Sequence, residues 1–282
     1  MNAFEQFDLH GKRAVVTGGA TGMGYYMARG LARAGAKVLI AARRENMLQQ
    51  ATEQFNAEPI AEKSIYHVVD LANRASIKSF ITAATEKLGG VDILVGNAGI
   101  DLLEPIENIK DESIDEIFQV NLSANIELVR GFLPGMRKKK WGRIILVSSA
   151  STLCASYCDG MTAYVATKGG LEAATRTIAA ETGRDGITVN SIVPGIFMTE
   201  LFSHSTTRHD GDDNNDYGGE DSGQAFLDAM FSMTALGRGA DCREMEGVVQ
   251  MLASNAGSYI TGASIVVDGG LSIMMRPNPI KR

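Results

Sequence analysis

Short apolar runs rich in β-branched residues alternate along the chain with longer stretches of mixed polarity. Such runs are typical of buried parallel strands, and the stretches between them are long enough for connecting helices. The pattern predicts strands at 13–17, 37–41, 64–69, 91–95, 143–147, 188–193 and 264–267. It predicts helices at 25–34, 44–55, 76–88, 113–129 and 242–253, and one through Tyr164 and Lys168 to about 181. This alternation favours an α/β fold built on a parallel sheet.

The regular pattern is interrupted once, between Ser203 and Gly223, where the composition becomes acidic and rich in glycine. A long segment of this kind within a regular α/β pattern is predicted to be an insertion or a lid over a site. No internal repeat and no linker is evident, so residues 1–282 are expected to form a single domain that carries this insertion. The tail from Leu271 has little pattern.

Composition and charge exclude several classes of function. The 282 residues are 45% hydrophobic, carry a net charge of −6, and lack the basic footprint of a nucleic-acid-binding protein. No secretory signal core or membrane-spanning run is predicted. The three cysteines, Cys154, Cys158 and Cys242, lack a metal-like set of partners, so free thiols, no metal and a reducing, cytoplasmic location are expected. The basic cluster 137–140 is expected to end a helix.

A glycine-rich turn follows the first predicted strand, with the spacing Thr17-Gly-x-x-x-Gly-x-Gly24. Glycines let a backbone approach a pyrophosphate, and the N-terminus of the next helix supplies amides and positive potential. The order strand, glycine turn and helix therefore favours a dinucleotide site over a plain turn.

The end of the second strand indicates which dinucleotide binds. A carboxylate there would favour NAD, but the chain has Arg43 and Arg44, and guanidinium groups suit the 2′-phosphate of NADP. The alternative is that one or both arginines are solvated charges at the start of a helix. Asp70, after the third strand, is expected either to meet the adenine edge or to cap the following helix.

Three further strand or helix positions carry candidate chemistry. Asn97-Ala98-Gly99 follows the fourth strand, and Ser148-Ser149 follows the fifth, at the edge where parallel sheets hold active sites. Asn121 is predicted within a helix, where asparagine is unfavourable and needs a structural or catalytic reason.

Tyr164 and Lys168 are four residues apart, which places both side chains on one face of a helix. A nearby ammonium favours the phenolate, so Lys168 is expected to lower the pKa of Tyr164 and to make it an acid/base near neutral pH. The isolated pair is common on helix surfaces, and its meaning depends on the other motifs.

With these motifs in order, and with Pro194-Gly195 after the sixth strand, the chain resembles the short-chain dehydrogenase/reductase family from about Leu9 to Leu271. The resemblance implies a three-layer, Rossmann-like, doubly wound fold with a seven-stranded parallel sheet, commonly assembled as a homotetramer. It implies an oxidoreductase in which Tyr164 is the general acid/base, Lys168 lowers its pKa and binds the nicotinamide ribose, Ser149 holds the substrate oxygen and Asn121 supports a relay water. The implied cofactor-binding residues are Gly18, Thr21, Gly22, Met23, Gly24, Arg43, Arg44, Asp70, Leu71, Asn97, Ala98, Gly99, Tyr164, Lys168, Pro194, Gly195, Ile196 and Thr199.

Two departures from the family pattern bear on the site. The first asparagine of the usual Asn-Asn-Ala-Gly is Gly96 here. The family's serine usually lies thirteen residues before the tyrosine, which would be Ser151, but Ser149 suits the strand end better. Ser149 is therefore preferred, with two extra residues expected in the loop Thr152 to Met161.

These expectations predict reversible hydride transfer between NADP(H) and a ketone, 3-oxoacyl compound or secondary alcohol. An NAD-dependent sugar or polyol dehydrogenase is the alternative enzyme, and a catalytically silent cofactor-binding regulator is the alternative of another class. The expected pocket residues are Asp101, Leu102, Leu153, Tyr157, Ile196 and Phe197.

Overall fold

The computed structural model describes residues 3–154, 160–199 and 227–274. Within them, seven strands form one sheet in the order β3-β2-β1-β4-β5-β6-β7, and every neighbouring pair is parallel. The strands are β1 Arg13–Thr17, β2 Lys37–Ala42, β3 Ile65–Val68, β4 Ile93–Gly96, β5 Gly142–Val147, β6 Ile187–Pro194 and β7 Ser264–Val267. All seven strand predictions are confirmed. Sequence could predict these strands because each apolar run is long enough for one buried strand and ends in turn-forming residues.

The helices connect successive strands across the faces of the sheet. They are α1 Gly22–Arg33, α2 Glu45–Ala57, α3 Arg74–Leu88, α4 Asp111–Phe118, α5 Ala124–Lys139, α6 Thr162–Thr182 and α7 Met245–Ala253. A helical segment at 227–232 lies between β6 and α7. Chain order reverses between β1 and β4, and the crevice at such a point is where open α/β sheets bind ligands.

Two apolar layers hold the helices against the sheet. Met27 of α1, Phe55 of α2 and Leu252 of α7 pack in the cluster on one face. Phe80 of α3 and Leu171 of α6 pack in the cluster on the other face. Successive side chains of a strand point to opposite faces, so the central strands are apolar on both sides and form the middle of a three-layer, doubly wound fold.

The helix expected at 113–129 differs from the prediction. The structure instead has α4, a π-helical turn at Gln119–Ser123, and α5, which continues to Lys139 through Pro134. Leu128, Phe132 and Met136 recur every four residues and are buried, so packing maintains the helix across the proline. The basic cluster ends α5 as expected, with Lys140 in the left-handed region at φ 51°.

Some expected features lie outside the described residues: Tyr157, Cys158, the insertion at 203–223 and the tail beyond Met274. Cys154 and Cys242 are free thiols. Among the described helices, none has the length and apolar character needed to span a bilayer.

The structure explains why residue 96 is glycine. A Cβ on Gly96 would overlap Oδ1 of Asn125, which projects from α5 toward the end of β4. Asn125 is 1% exposed, and its Nδ2 donates to the carbonyl of Asn121 at 2.9 Å. The Asn125 side chain therefore occupies the space that a side chain at position 96 would need.

Gly96→Ala is expected to lower the free energy of unfolding by about 1–3 kcal/mol, the usual range for overpacking a buried site. The cost should be smaller in an Asn125→Ala background, because that change removes the overlapping atom. Denaturant unfolding of the two single variants and the double variant measures this coupling. Gly135→Ala in α5 is the control, since a Cβ there meets nothing within 4 Å. Equal costs for Gly96→Ala in both backgrounds would contradict the explanation.

Candidate active site

The glycine turn brings the N-terminus of α1 to the end of β1. Gly18 and Gly22 have φ values of 66° and 55°, which glycine adopts without strain, and a Cβ on Gly24 would overlap the carbonyl of Gly18. Thr21 is the N-cap of α1, and its side chain makes no capping hydrogen bond. The first amides of α1 are therefore available to a bound anion.

Asn97 and Thr17 join the ends of β1 and β4. Asn97 Nδ2 donates to the carbonyls of Thr17 at 3.0 Å and Gly18 at 3.3 Å. Thr17 Oγ1 accepts the backbone N–H groups of Asn97 at 3.1 Å and Ala98 at 3.2 Å. The Asn97 side chain thus fixes the turn, a role that the sequence did not reveal because its partners are backbone groups distant in the chain.

The end of β2 lies beside the same turn. The backbone N–H of Gly18 donates to the carbonyl of Ala41 at 2.7 Å, and Arg43 follows two residues later. Arg43 and Arg44 are both exposed, and Arg44 is also the N-cap residue of α2. Neither guanidinium has an ion-pair partner among the described residues, so both remain available to a phosphate.

The expectation that Asp70 might cap the next helix is wrong. Asn73 is the N-cap of α3 and accepts the amides of Ala75 at 2.9 Å and Ser76 at 3.2 Å. Asp70 lies three residues earlier and is exposed, and its side chain accepts the nearby amide of Ala72 at 3.0 Å. Asparagine and aspartate are equally good N-cap residues. Asn73 caps α3 because it lies next to the first turn of the helix, and Asp70 does not.

The segment after β6 also reaches the glycine turn. β6 ends at Pro194, and a Cβ on Gly22 would lie 3.3 Å from Cγ2 of Thr199. Thr199 therefore adjoins the N-terminus of α1. Ile196 is 5% exposed and belongs to a small apolar cluster beneath this segment.

Lys168 lies on the inner face of α6, at the end of β5. It is 4% exposed, and its Nζ donates to the carbonyl of Val147 at 2.9 Å. Burial lowers the pKa of Lys168 to about 8. Gly99 is beside it: a Cβ there would lie 3.2 Å from Nζ, so only a small residue leaves room around the ammonium.

Tyr164 is half-buried one turn earlier on the same face, and the side chain of Ser149 lies near enough to its hydroxyl to act on its pKa. The expected lowering of its pKa is not observed. Burial raises the pKa of Tyr164, the hydrogen bond to Ser149 opposes this rise, and the carboxylate of Asp101 adds to it. Lys168 Nζ lies 5.7 Å from the centroid of the tyrosine ring and is engaged by Val147, so desolvation of the phenol dominates.

Of the two serines considered, Ser149 is the one that meets Tyr164. Ser149 lies directly after Ser148 at the end of β5, and its Oγ donates to Ser151 Oγ at 3.2 Å. Ser151 is 5% exposed within a short 3₁₀ turn, Ala150–Thr152. This arrangement favours Ser149 as the side chain that faces a substrate, with Ser151 behind it.

Asn121 lies in the π-helical turn, a feature often found at functional sites. Its Oδ1 accepts the N–H of Ile100 at 2.8 Å, and its Nδ2 donates to the carbonyl of Ile100 at 2.8 Å and to Thr167 Oγ1 at 3.3 Å. The side chain therefore fixes the loop after β4 against α6. Its support of a relay water stays a prediction.

Four of the six expected pocket residues divide into two groups. Leu153 is 44% exposed, and Asp101 is exposed and acts on Tyr164 through its charge. Ile196 and Phe197 are buried but line a cavity of about 100 Å³ together with Leu236 and Asp268. The sequence did not identify Leu236 or Asp268, which reach this cavity only through the fold.

Together, these strand ends fit a nicotinamide dinucleotide. An added Cβ on Gly18 or Gly24 would overlap atoms of the turn, so the turn keeps its tight path only with glycine. The N-terminus of α1 lacks a side-chain cap, and Lys168 and Tyr164 lie further along the same edge. Such a donor set combines an anion site with a proton-transferring side chain.

Comparison with known proteins agrees with this geometry. The family described as short chain dehydrogenase matches residues 12–210. D-beta-hydroxybutyrate dehydrogenase of Rhizobium meliloti is 33% identical over 92% of this chain and 98% of its own length. A 3-oxoacyl-(acyl-carrier-protein) reductase of Vibrio cholerae is 33% identical over 94% of this chain and 98% of its length.

A solved structure extends the agreement to three dimensions. The gluconate 5-dehydrogenase of Burkholderia cenocepacia, in complex with NADP and tartrate, superposes with a TM-score of 0.84 at 31% identity. The match covers 96% of this chain and 99% of that one. The chain therefore belongs to the short-chain dehydrogenase family, and it is an oxidoreductase that acts on alcohols or ketones.

Proposed function

We propose that this protein transfers hydride reversibly between NADP(H) and a ketone or secondary alcohol, with Tyr164 as the general acid/base. The observation that carries the proposal is the placement of Tyr164 on α6 beside Ser149, which acts on its pKa, and one turn from the buried ammonium of Lys168. All three lie at the carboxyl edge of the sheet, next to a glycine turn that suits a pyrophosphate.

The protein's own groups divide the work as follows. Bound NADPH would supply the hydride, and the chain supplies binding, orientation and proton transfer. Tyr164 donates the proton from its hydroxyl to the substrate oxygen during reduction and takes it back during oxidation. Ser149 holds that oxygen through a hydrogen bond and also favours the phenolate, because its side chain lowers the pKa of Tyr164 against the effect of burial.

The preference for NADP is inferred from Arg43 and Arg44. Both guanidinium groups are exposed and follow the strand whose end contacts the glycine turn. A guanidinium group binds a phosphate with two parallel hydrogen bonds. The ribose of NAD carries no 2′-phosphate to accept them. The similar gluconate 5-dehydrogenase is described with NADP, which supports this choice.

For the substrate we propose a ketone or 3-oxoacyl compound, and the exposed side chain of Leu153 near the site supports an apolar portion. A sugar or polyol is the second candidate. The similarity to a gluconate 5-dehydrogenase supports it, as does the Asp101 carboxylate, which can accept hydrogen bonds from hydroxyls.

Tyr164→Phe is expected to lower kcat by about 10²- to 10⁴-fold, the usual contribution of a general acid/base, while NADPH still binds. Turnover of a ketone panel and fluorescence titration with NADPH measure the two effects. Tyr259→Phe, at a fully exposed tyrosine, is the control. A Tyr164→Phe variant that keeps wild-type turnover would rule out the assigned role.

Asp101→Asn is expected to shift the pH dependence of alcohol oxidation to lower pH. The carboxylate of Asp101 raises the pKa of Tyr164, since a negative charge disfavours the phenolate. Without that charge the pKa falls, and the base form needed for oxidation appears at lower pH. Profiles of kcat/KM against pH test this, with Glu107→Gln in the same loop as the matched charge control. A kcat/KM profile that stays unchanged or moves to higher pH in Asp101→Asn would contradict the effect assigned to the Asp101 charge.

Arg43→Ala is expected to weaken NADPH binding by about 1.5–3 kcal/mol, the usual value of a hydrogen bond to a charged group, and to leave NADH binding nearly unchanged. Titrations with both cofactors measure the difference. Arg130→Ala, at an exposed arginine of α5, controls for the loss of a positive charge. Equal losses for both cofactors would exclude a 2′-phosphate contact by Arg43.

A further inference from the structure

Glu172 is a buried carboxylate that the proposed chemistry does not use. It lies on α6 and is 8% exposed. No ion pair of the described residues includes it. A buried carboxylate without a cation must be stabilised by hydrogen bonds, and it persists only where these are well formed.

Three hydroxyl groups provide those hydrogen bonds. Thr152 Oγ1 and Ser148 Oγ donate to Oε1 of Glu172 at 2.6 Å and 2.8 Å. Ser264 Oγ donates to Oε2 at 2.9 Å. One carboxylate therefore ties α6 to the end of β5, to the 3₁₀ turn after β5 and to β7.

Two of these contacts lie on either side of Ser149. Ser148 precedes it, and Thr152 is three residues beyond it. The carbonyl of Ser149 accepts the N–H of Thr152 at 3.1 Å. It also lies 2.7 Å from Thr152 Oγ1, so it shares the single hydroxyl proton of Thr152 with Oε1 of Glu172. A shift of Thr152 or Ser148 would therefore move the backbone of Ser149 with it.

The helix makes Glu172 a fixed reference for this segment. Tyr164, Lys168 and Glu172 follow one another at intervals of four residues, so all three side chains project from one face of α6. Ser148 Oγ also lies 3.2 Å from the carbonyl of Lys168. The same rigid element thus carries the tyrosine and the group that anchors the serine.

We propose that Glu172 is a positioning residue. Its carboxylate holds the segment from Ser148 to Thr152, and this keeps Ser149 Oγ next to the hydroxyl of Tyr164. This inference rests on the proposed function of Ser149 and Tyr164.

The test compares a variant that breaks the contacts with one that preserves them. Glu172→Leu keeps the approximate size and removes every acceptor. Glu172→Gln keeps an oxygen for Ser148 and Thr152 and offers an N–H to Ser264 Oγ. Because a displacement of about 1 Å at a reacting group can cost about 100-fold in rate, kcat should fall by about that factor in Glu172→Leu. Glu172→Gln should restore most of it, with NADPH affinity nearly unchanged in both.

A titration of ¹³C-labelled tyrosine by NMR provides a readout that does not depend on activity, with Tyr164→Phe to assign the signal. The charged group that acts on the pKa of Tyr164 is Asp101, and Lys168 Nζ lies 5.7 Å from the centroid of the tyrosine ring on the same helix. Loss of the Ser149 hydrogen bond raises the pKa of Tyr164, whereas loss of a negative charge alone would lower it. Glu172→Leu should therefore raise this pKa, and Glu172→Gln should not.

Asn190→Ala is the control for a purely structural effect. Asn190 is fully buried and bridges the backbone of Ile260 and Ala263, away from Ser149. It should lower thermal stability and leave kcat per folded molecule unchanged. Thr152→Val, which removes a single hydroxyl, replaces Glu172→Leu if that variant does not fold, with the same expected directions.

The outcomes separate this inference from the function on which it rests. Wild-type protein that reduces no carbonyl would refute the proposed function, while the tyrosine titration would still decide the role of Glu172. Active wild-type protein with unchanged kcat and Tyr164 pKa in Glu172→Leu would overturn the positioning role alone. Failure of Glu172→Gln to restore either quantity would also overturn it.

Discussion

The hydrogen bond from the buried ammonium of Lys168 to the carbonyl of Val147 is the interaction on which the site depends. A charged group at this depth is costly, and it is held where the end of β5 offers a carbonyl and Gly99 leaves space. This hydrogen bond fixes the position of α6 along its axis relative to the end of β5. Tyr164, one turn earlier on the helix, then meets Ser149 at the strand end.

Hydrogen bonds from two other side chains hold α6 in this position, one on each side of the helix. Asn121 ties the loop after β4 to α6 through Ile100 and Thr167, and the π-helical turn gives its side chain this direction. On the opposite side, Glu172 ties α6 to the segment that contains Ser149. The proposed catalytic groups are thus carried by helix and strand ends.

The strands, the glycine turn and the face of α6 could be predicted from sequence, because each depends on a local pattern of apolar runs, glycines or four-residue spacing. Other features depend on contacts between distant residues. The overlap of Asn125 with position 96 and the three hydroxyls around Glu172 bring together segments that the sequence keeps far apart. Likewise, the pKa of Tyr164 is raised because the folded protein desolvates the phenol, while the sequence shows only the nearby lysine.

The most direct test of the account is one turnover with NADPH deuterated at the transferred position of the nicotinamide and a ketone substrate. The account predicts that the deuterium is found on the carbinol carbon of the product and that the hydroxyl proton comes from solvent through Tyr164. A product without deuterium at that carbon, formed while NADPH is oxidised, would contradict hydride transfer at this site.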